Sequence, residues 1–149
     1  MLTRWLLASL HLLALPLGLG AVWARGRALK ATRTLADVPR VMSADNLWGL
    51  AAVLWVVTGL VRLLEGTEKP SQYYFGNWVF YVKMALFVLI LALEGWPMTV
   101  LIRWRIALVR GRPIDLAIAP TLARICALEA GLTVLMVFAA TAMARGLFY

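Results

Sequence analysis

The residues of this chain that could do chemistry are few, and they lie among apolar neighbours. A single histidine, His11, sits inside a long apolar run, as do Lys83, Glu94 and Glu129, and Arg62 lies near the end of another. An imidazole in such a setting has three uses. It can hydrogen-bond a neighbouring helix, ligate haem iron or copper, or relay protons. Buried carboxylates serve as interhelical links or as proton carriers. Arg62 and Lys83 are long enough to snorkel to a membrane surface, with Glu65 one turn from Arg62. The same two cations also suit the neutralisation of an acidic ligand such as the propionates of haem.

Depth groups these residues. At about 1.5 Å of rise per residue, His11, Lys83 and Arg62 fall in one half of the membrane and Glu94 and Glu129 in the other. Lys83 and Glu94 are eleven residues apart, close to three turns, so they share a helix face with Phe87, Ile90 and Leu101. That face is expected to point into a bundle, because lipid tolerates neither charge. Glu94 has a further partner available in Arg25 or Arg103. The face through His11 carries Arg4, Leu7, Leu15 and Gly18, with Gly20 nearby, and small residues there admit a second helix or a flat ring.

Other chemistry is excluded by count. One cysteine, Cys126, forms no disulfide within the chain and no iron–sulfur centre, and one histidine builds no multi-residue zinc site. Met84, Met98, Met136 and Met143 are scattered and read as packing residues. Cys126 lies by depth far from His11, which argues against a copper site using both. No phosphate loop, nucleotide motif or nucleophile–base pair is present.

The elements that must position these groups are membrane helices. Of 149 residues, 63% are apolar and 15% charged, and mean hydropathy is +0.84. Soluble domains hold roughly 45–50% apolar and about 25% charged residues. Four apolar runs, at about 2–24, 47–64, 78–102 and 122–143, each suit one crossing. They are continuous rather than alternating, which excludes strands. The fold expected is an all-α, four-helix transmembrane bundle forming one domain over 1–149. The first run resembles a signal peptide only at Ala21-Val22-Trp23-Ala24; its length, His11 and Pro16 make it a retained span.

Net charge is +8. The basic residues flank the apolar runs, so they read as topology signals and not as a nucleic-acid surface. Arg25, Arg27, Lys30, Arg33 and Arg40 fill the first connection; Arg103, Arg105, Arg110 and Arg112 fill the third, with Arg124 just beyond. The second holds Lys69. The positive-inside rule therefore puts connections one and three in the cytoplasm and both termini outside. Ala28–Val41 reads either as a surface amphipathic helix or as a plain basic loop. Gly111-Arg112-Pro113 predicts a turn, Pro120 a helix start, and Asp45-Asn46 a cap for the second helix. Trp5, Trp23, Trp48, Trp78, Trp96 and Trp104 lie near span ends and read as an aromatic belt.

A set of segments, in order, resembles one bacterial membrane family, the domain of unknown function numbered twenty-two fourteen. They are Leu10–Ala14 with Gly18–Ala21, Ala44–Ala51, Thr58–Arg62, Glu68-Lys69 with Tyr73-Tyr74, Lys83–Phe87, Glu94–Met98, and Arg103–Arg105. The first-helix histidine and the later Val82-Lys83 segment also resemble the copper-resistance protein D superfamily and the small bacterial membrane protoporphyrinogen oxidases. That resemblance implies haem b, with His11 as the iron ligand and Lys83 as a functional position. With no second histidine, the sixth ligand would be Met, Lys or the His11 of another copy, or the iron would be five-coordinate.

Two functions follow as expectations. One is a haem b-binding redox protein of the inner membrane, with Arg62 and Lys83 on the propionates and Glu94 and Glu129 carrying protons. The other is a non-enzymatic scaffold or accessory subunit. Oligomeric proton or ion transport is a third. The partners expected are the lipid bilayer and further copies of the chain, with no nucleic acid; no reaction is assigned.

Overall fold

The computed structural model describes residues 2–65 and 71–147, all-helical in its regular elements. The elements in chain order are α1 (Leu2–Ala31), a 3₁₀ turn (Leu35–Asp37), α2 (Val38–Leu64), a short α3 (Ser71–Gly76), α4 (Trp78–Val109) and α5 (Ala119–Ala144). The four long helices are each long and apolar enough to cross a membrane. Glu68 and Lys69 of the second connection lie outside the described residues.

The helices outrun the apolar runs that mark them. Helix α1 continues through Arg25-Gly26-Arg27-Ala28-Leu29-Lys30-Ala31, where Arg, Ala, Leu and Lys are good helix formers and no proline intervenes. The segment from Ala28 to Val41 is therefore neither one surface helix nor one loop. It is the end of α1, a tight connection, and the start of α2. In that connection the Asp37 carboxylate accepts the backbone N–H groups of Arg33 and Thr34, each at 2.9 Å. Pro39 then lies in the first turn of α2, where its missing N–H is harmless. Asp45 is thus interior to α2 and does not cap it. Asn77 caps α4, its side-chain oxygen accepting the Val79 N–H at 2.9 Å. Helix α4 ends as the sequence indicates, at Gly111 with φ of 60°, and Arg112 N–H closes back on the Ala107 carbonyl at 2.8 Å. Pro120 lies in the first turn of α5.

Helix α1 packs along α2 on one side and α5 on the other, and α5 packs along α4. Helices α2 and α4 complete the circuit without packing on each other in the same way, which leaves a seam between them. Small residues set the close approaches. A side-chain carbon on Gly18 would sit 3.4 Å from Ala51 Cβ and from the Trp48 ring; one on Gly26 would sit 3.0 Å from Cys126 Cβ. Gly18 therefore admits α2, whereas Gly20 has nothing within 4 Å and is no packing glycine. Val22, Leu29, Val41, Leu101, Leu122 and Met136 fill the centre. Trp5, Leu12, Leu13, Val57 and Phe138 face outward, as a lipid-embedded surface requires. The aromatic belt is smaller than its sequence signal. Trp5, Trp23, Trp78 and Trp96 are exposed, but Trp48 and Trp104 are buried in the core.

The 3.0 Å limit at Gly26 yields a test. Gly26→Val must part α1 from α5, and overpacking of this kind costs about 1–3 kcal/mol. Reversible unfolding in mixed micelles should show that loss, while Gly20→Ala, with open space around it, should leave stability unchanged or slightly raised.

Candidate functional site

Two polar sites lie inside the bundle, one near each end. The first is built on Arg25. Its side chain is fully buried, and all five of its N–H donors are used. Nη1 and Nη2 grip Glu94 as a fork at 2.8 and 2.6 Å, Nη1 also reaches Asp45 at 2.8 Å, and Nη2 reaches Glu129 at 2.9 Å. Nε donates to Cys126 Sγ at 3.2 Å, and the Trp48 ring stands 5.8 Å from the guanidinium carbon. The second oxygen of Asp45 accepts from Arg105 at 2.8 Å. One guanidinium of α1 thereby ties together carboxylates from α2, α4 and α5. Arg105 and Asp45 bridge the α2–α4 seam at the same level.

Two guanidinium groups here face three carboxyls, one positive charge short of balance. Glu129 is fully buried, and its Oε1 has no hydrogen-bond partner among the described residues. The arrangement can hold one proton at that atom. Glu94 and Glu129, which the sequence places at one depth, do converge, but on Arg25 rather than on an open path.

The second site is a cavity of about 250 Å³ lined by His11, Arg62 and Lys83 from α1, α2 and α4. These are the three cationic positions that the sequence places in one half of the membrane. Trp55, Phe87 and Met136 supply apolar wall, and no carboxylate lines the cavity among the described residues. Local geometry holds the histidine. Thr58 sits on α2 with its hydroxyl hydrogen given to the Leu54 carbonyl at 2.5 Å, as a helical threonine commonly does. Its oxygen is then the acceptor for His11 Nδ1–H at 2.8 Å, which leaves Nε2 free of that bond. Gly59 makes room for the ring, since a carbon there would meet His11 Cε1 at 3.3 Å. The Trp55 ring lies 6.3 Å away, tilted by 48°.

Arg25 and His11 are fourteen residues apart on α1, about 21 Å at 1.5 Å per residue. The face between them carries Ala14, Gly18, Ala21 and Val22, all buried. The two sites are therefore spatially distinct. Sequence reasoning overlooked Arg25 and Asp45 as site residues, assigning one to a connection and the other to a cap. The pairing of Glu94 with Arg25, one of two partners considered for it, is the one formed; Arg103 is exposed. Thr58 and Gly59 carry no signal of their own before the histidine is seen against them. Among the described residues no group of three or more His, Cys, Asp or Glu converges to hold a metal ion.

The chain belongs to the family described as predicted membrane protein (DUF2214), which matches it over residues 3–147. No curated protein and no solved structure matches it.

The Arg25 cluster predicts a large mutational effect. Removing one member of a buried ion cluster leaves charges uncompensated, at about 3–5 kcal/mol. Arg25→Met should show a loss of that order in micellar unfolding. The double variant Arg25→Met/Glu129→Gln should lose less than the sum of its parts, because each change removes part of the other's cost. Strict additivity would show that the two groups do not interact.

Proposed function

We propose that this DUF2214 protein is a membrane-embedded binding protein that takes the acidic head of a lipophilic cofactor in the cavity between His11, Arg62 and Lys83. The observation that carries this reading is the convergence of three basic side chains from three helices on one largely apolar cavity without a lining carboxylate. All three are half-buried, and an acidic head group among them would find a charge-assisted partner in Lys83 and a donor or ligand in His11. Residues of both α2 and α4 line this cavity, beside the seam between those helices.

Haem b is the cofactor that the histidine suggests, and the donor set suits it. His11 would offer Nε2 to iron, Arg62 and Lys83 would take the two propionates, and Met136 lines the same space. Haem bound there would supply one-electron chemistry. The enclosed volume is less favourable. About 250 Å³ is below the roughly 300–1,000 Å³ of ordinary small-molecule pockets, so the cavity does not enclose a porphyrin. A macrocycle would have to project out of the cavity; a slimmer acidic lipophile would need only its head group inside.

The Arg25 cluster favours a second reading, a non-enzymatic scaffold or accessory subunit. Its five saturated donors bind helices to one another and leave no guanidinium N–H for a ligand. In that case His11 is one more interhelical link, through Thr58.

The experiment is purification in mild detergent from haem-replete cells, followed by oxidised and reduced visible spectra and mass spectrometry of the solvent extract. The expected result is an acidic lipophile near stoichiometric amount, lost in His11→Ala and reduced in Lys83→Gln. A b-type Soret band lost in the same variants would identify it as haem. A featureless spectrum with no His11-dependent extract would overturn the binding reading and leave the scaffold.

A further inference from the structure

A second concavity, much larger than the His11 cavity, belongs to neither of these sites. It is a groove of about 920 Å³ between α1 and α5, at the end of the bundle that carries the two basic connections. Four cations line it: Arg27, Lys30 and Arg33 from the α1 end, and Arg124 from the first turns of α5. No acidic side chain lines it among the described residues. One or two turns deeper the lining becomes apolar, with Trp23 on one wall and Ala127 on the other. The floor is the Gly26–Cys126 crossing, where a side-chain carbon on Gly26 would sit 3.0 Å from Cys126 Cβ. Arg33 is anchored at the mouth, with Nη1 donating to the Lys30 and Thr32 carbonyls at 3.1 Å.

Positive residues at membrane ends are ordinarily topology signals, and single ones need no other account. This set differs in arrangement. Its members come from two helices far apart in sequence and surround one concavity with an apolar trough. The groove's mouth also holds Pro120, in the first turn of the 26-residue α5, whose helix dipole adds to the attraction for an anion. A phosphate at the mouth would meet the cations, and an acyl chain would run along Trp23 and Ala127. The volume lies at the upper end of the range for small-ligand pockets, about 300–1,000 Å³. Basic pockets of this kind between membrane helices hold anionic lipid head groups.

We propose that the α1–α5 groove is a binding site for one anionic phospholipid, its phosphate held by Arg27, Lys30, Arg33 and Arg124. The site is independent of the His11 cavity and does not depend on the function proposed for it. Free phosphate would satisfy the cations alone and leave the trough empty, so the lipid is the occupant that uses the whole surface.

The test is thermal stability and native mass spectrometry of the delipidated protein in a neutral detergent. Phosphatidylglycerol or cardiolipin, phosphatidylcholine and inorganic phosphate are titrated in separate arms. The anionic lipids should raise Tm and appear as a retained one-lipid adduct, phosphatidylcholine and phosphate should not. Arg27→Gln/Arg124→Gln should weaken the anionic-lipid effect about thirty-fold, two head-group charges' worth. Arg110→Gln/Arg112→Gln, which removes equal charge outside the groove, should leave it intact. Ala127→Trp fills the trough with all cations kept, and should abolish the adduct. An equal response to phosphate or phosphatidylcholine, equal weakening in the control pair, or no adduct in the wild type would each overturn the proposal. Should the groove variants fail to fold, the wild-type arms and the control pair still decide it.

Discussion

One buried guanidinium sets the geometry of this protein. Between membrane helices there is little hydrophobic drive, because lipid tails are as apolar as the side chains they would replace. Packing and polar links must therefore choose the arrangement. Arg25 supplies the choice. A cation taken wholly out of water carries a desolvation cost of several kcal/mol, and only a full set of partners offsets it. The planar fork demands acceptors in fixed directions. Asp45, Glu94 and Glu129 meet that demand only when α2, α4 and α5 stand at one rotation and one height. Once these are set, the positions of His11, Arg62 and Lys83 at the other end follow from rigid helices.

The bundle keeps its two polar regions chemically unlike. Around Arg25 the acids outnumber the bases, and every N–H of that guanidinium has an acceptor. Around His11 the bases stand without a lining acid. About 21 Å of buried small and apolar side chains on α1 separates them. The first region is closed and structural in character. The second has space, a histidine held against Thr58, and a seam beside it. The exposed groove along α1 and α5 adds a third environment, cationic and open.

Much of this was legible in the sequence, and for identifiable reasons. Apolar runs report helices directly, because the bilayer imposes their length and composition. Depth counting placed His11, Arg62 and Lys83 together, since axial height follows from residue number once the helices are drawn. Rotation about the axis is harder to read, and there the reading failed. Trp48 and Trp104 sit at span ends yet turn inward, which no composition rule encodes. Arg25 follows directly after an apolar run, where an arginine normally reaches for water. Only the continuation of α1 to Ala31 carries it inside. Its partners are 20, 69 and 104 residues away, beyond any local pattern. Asp45 misled for a related reason: Asp before an apolar run looks like a cap, whereas α2 had already begun at Val38.

The order of the chain gives the Arg25 cluster a consequence for biogenesis. Arg25 belongs to a helix that leaves the ribosome well before the one carrying Glu129, its fully buried partner. When α1 enters the bilayer, none of its three counter-charges has been made. Until they arrive, the arginine must stay at the water boundary, where a long cationic side chain at a helix end can remain hydrated. Asp45 comes first and Glu94 next, so each added hairpin draws the guanidinium further from water. Helix α5 brings the final acceptor and, at Gly26 and Cys126, a tight contact with α1. Insertion of α5 and closure of the Arg25 cluster are then a single event.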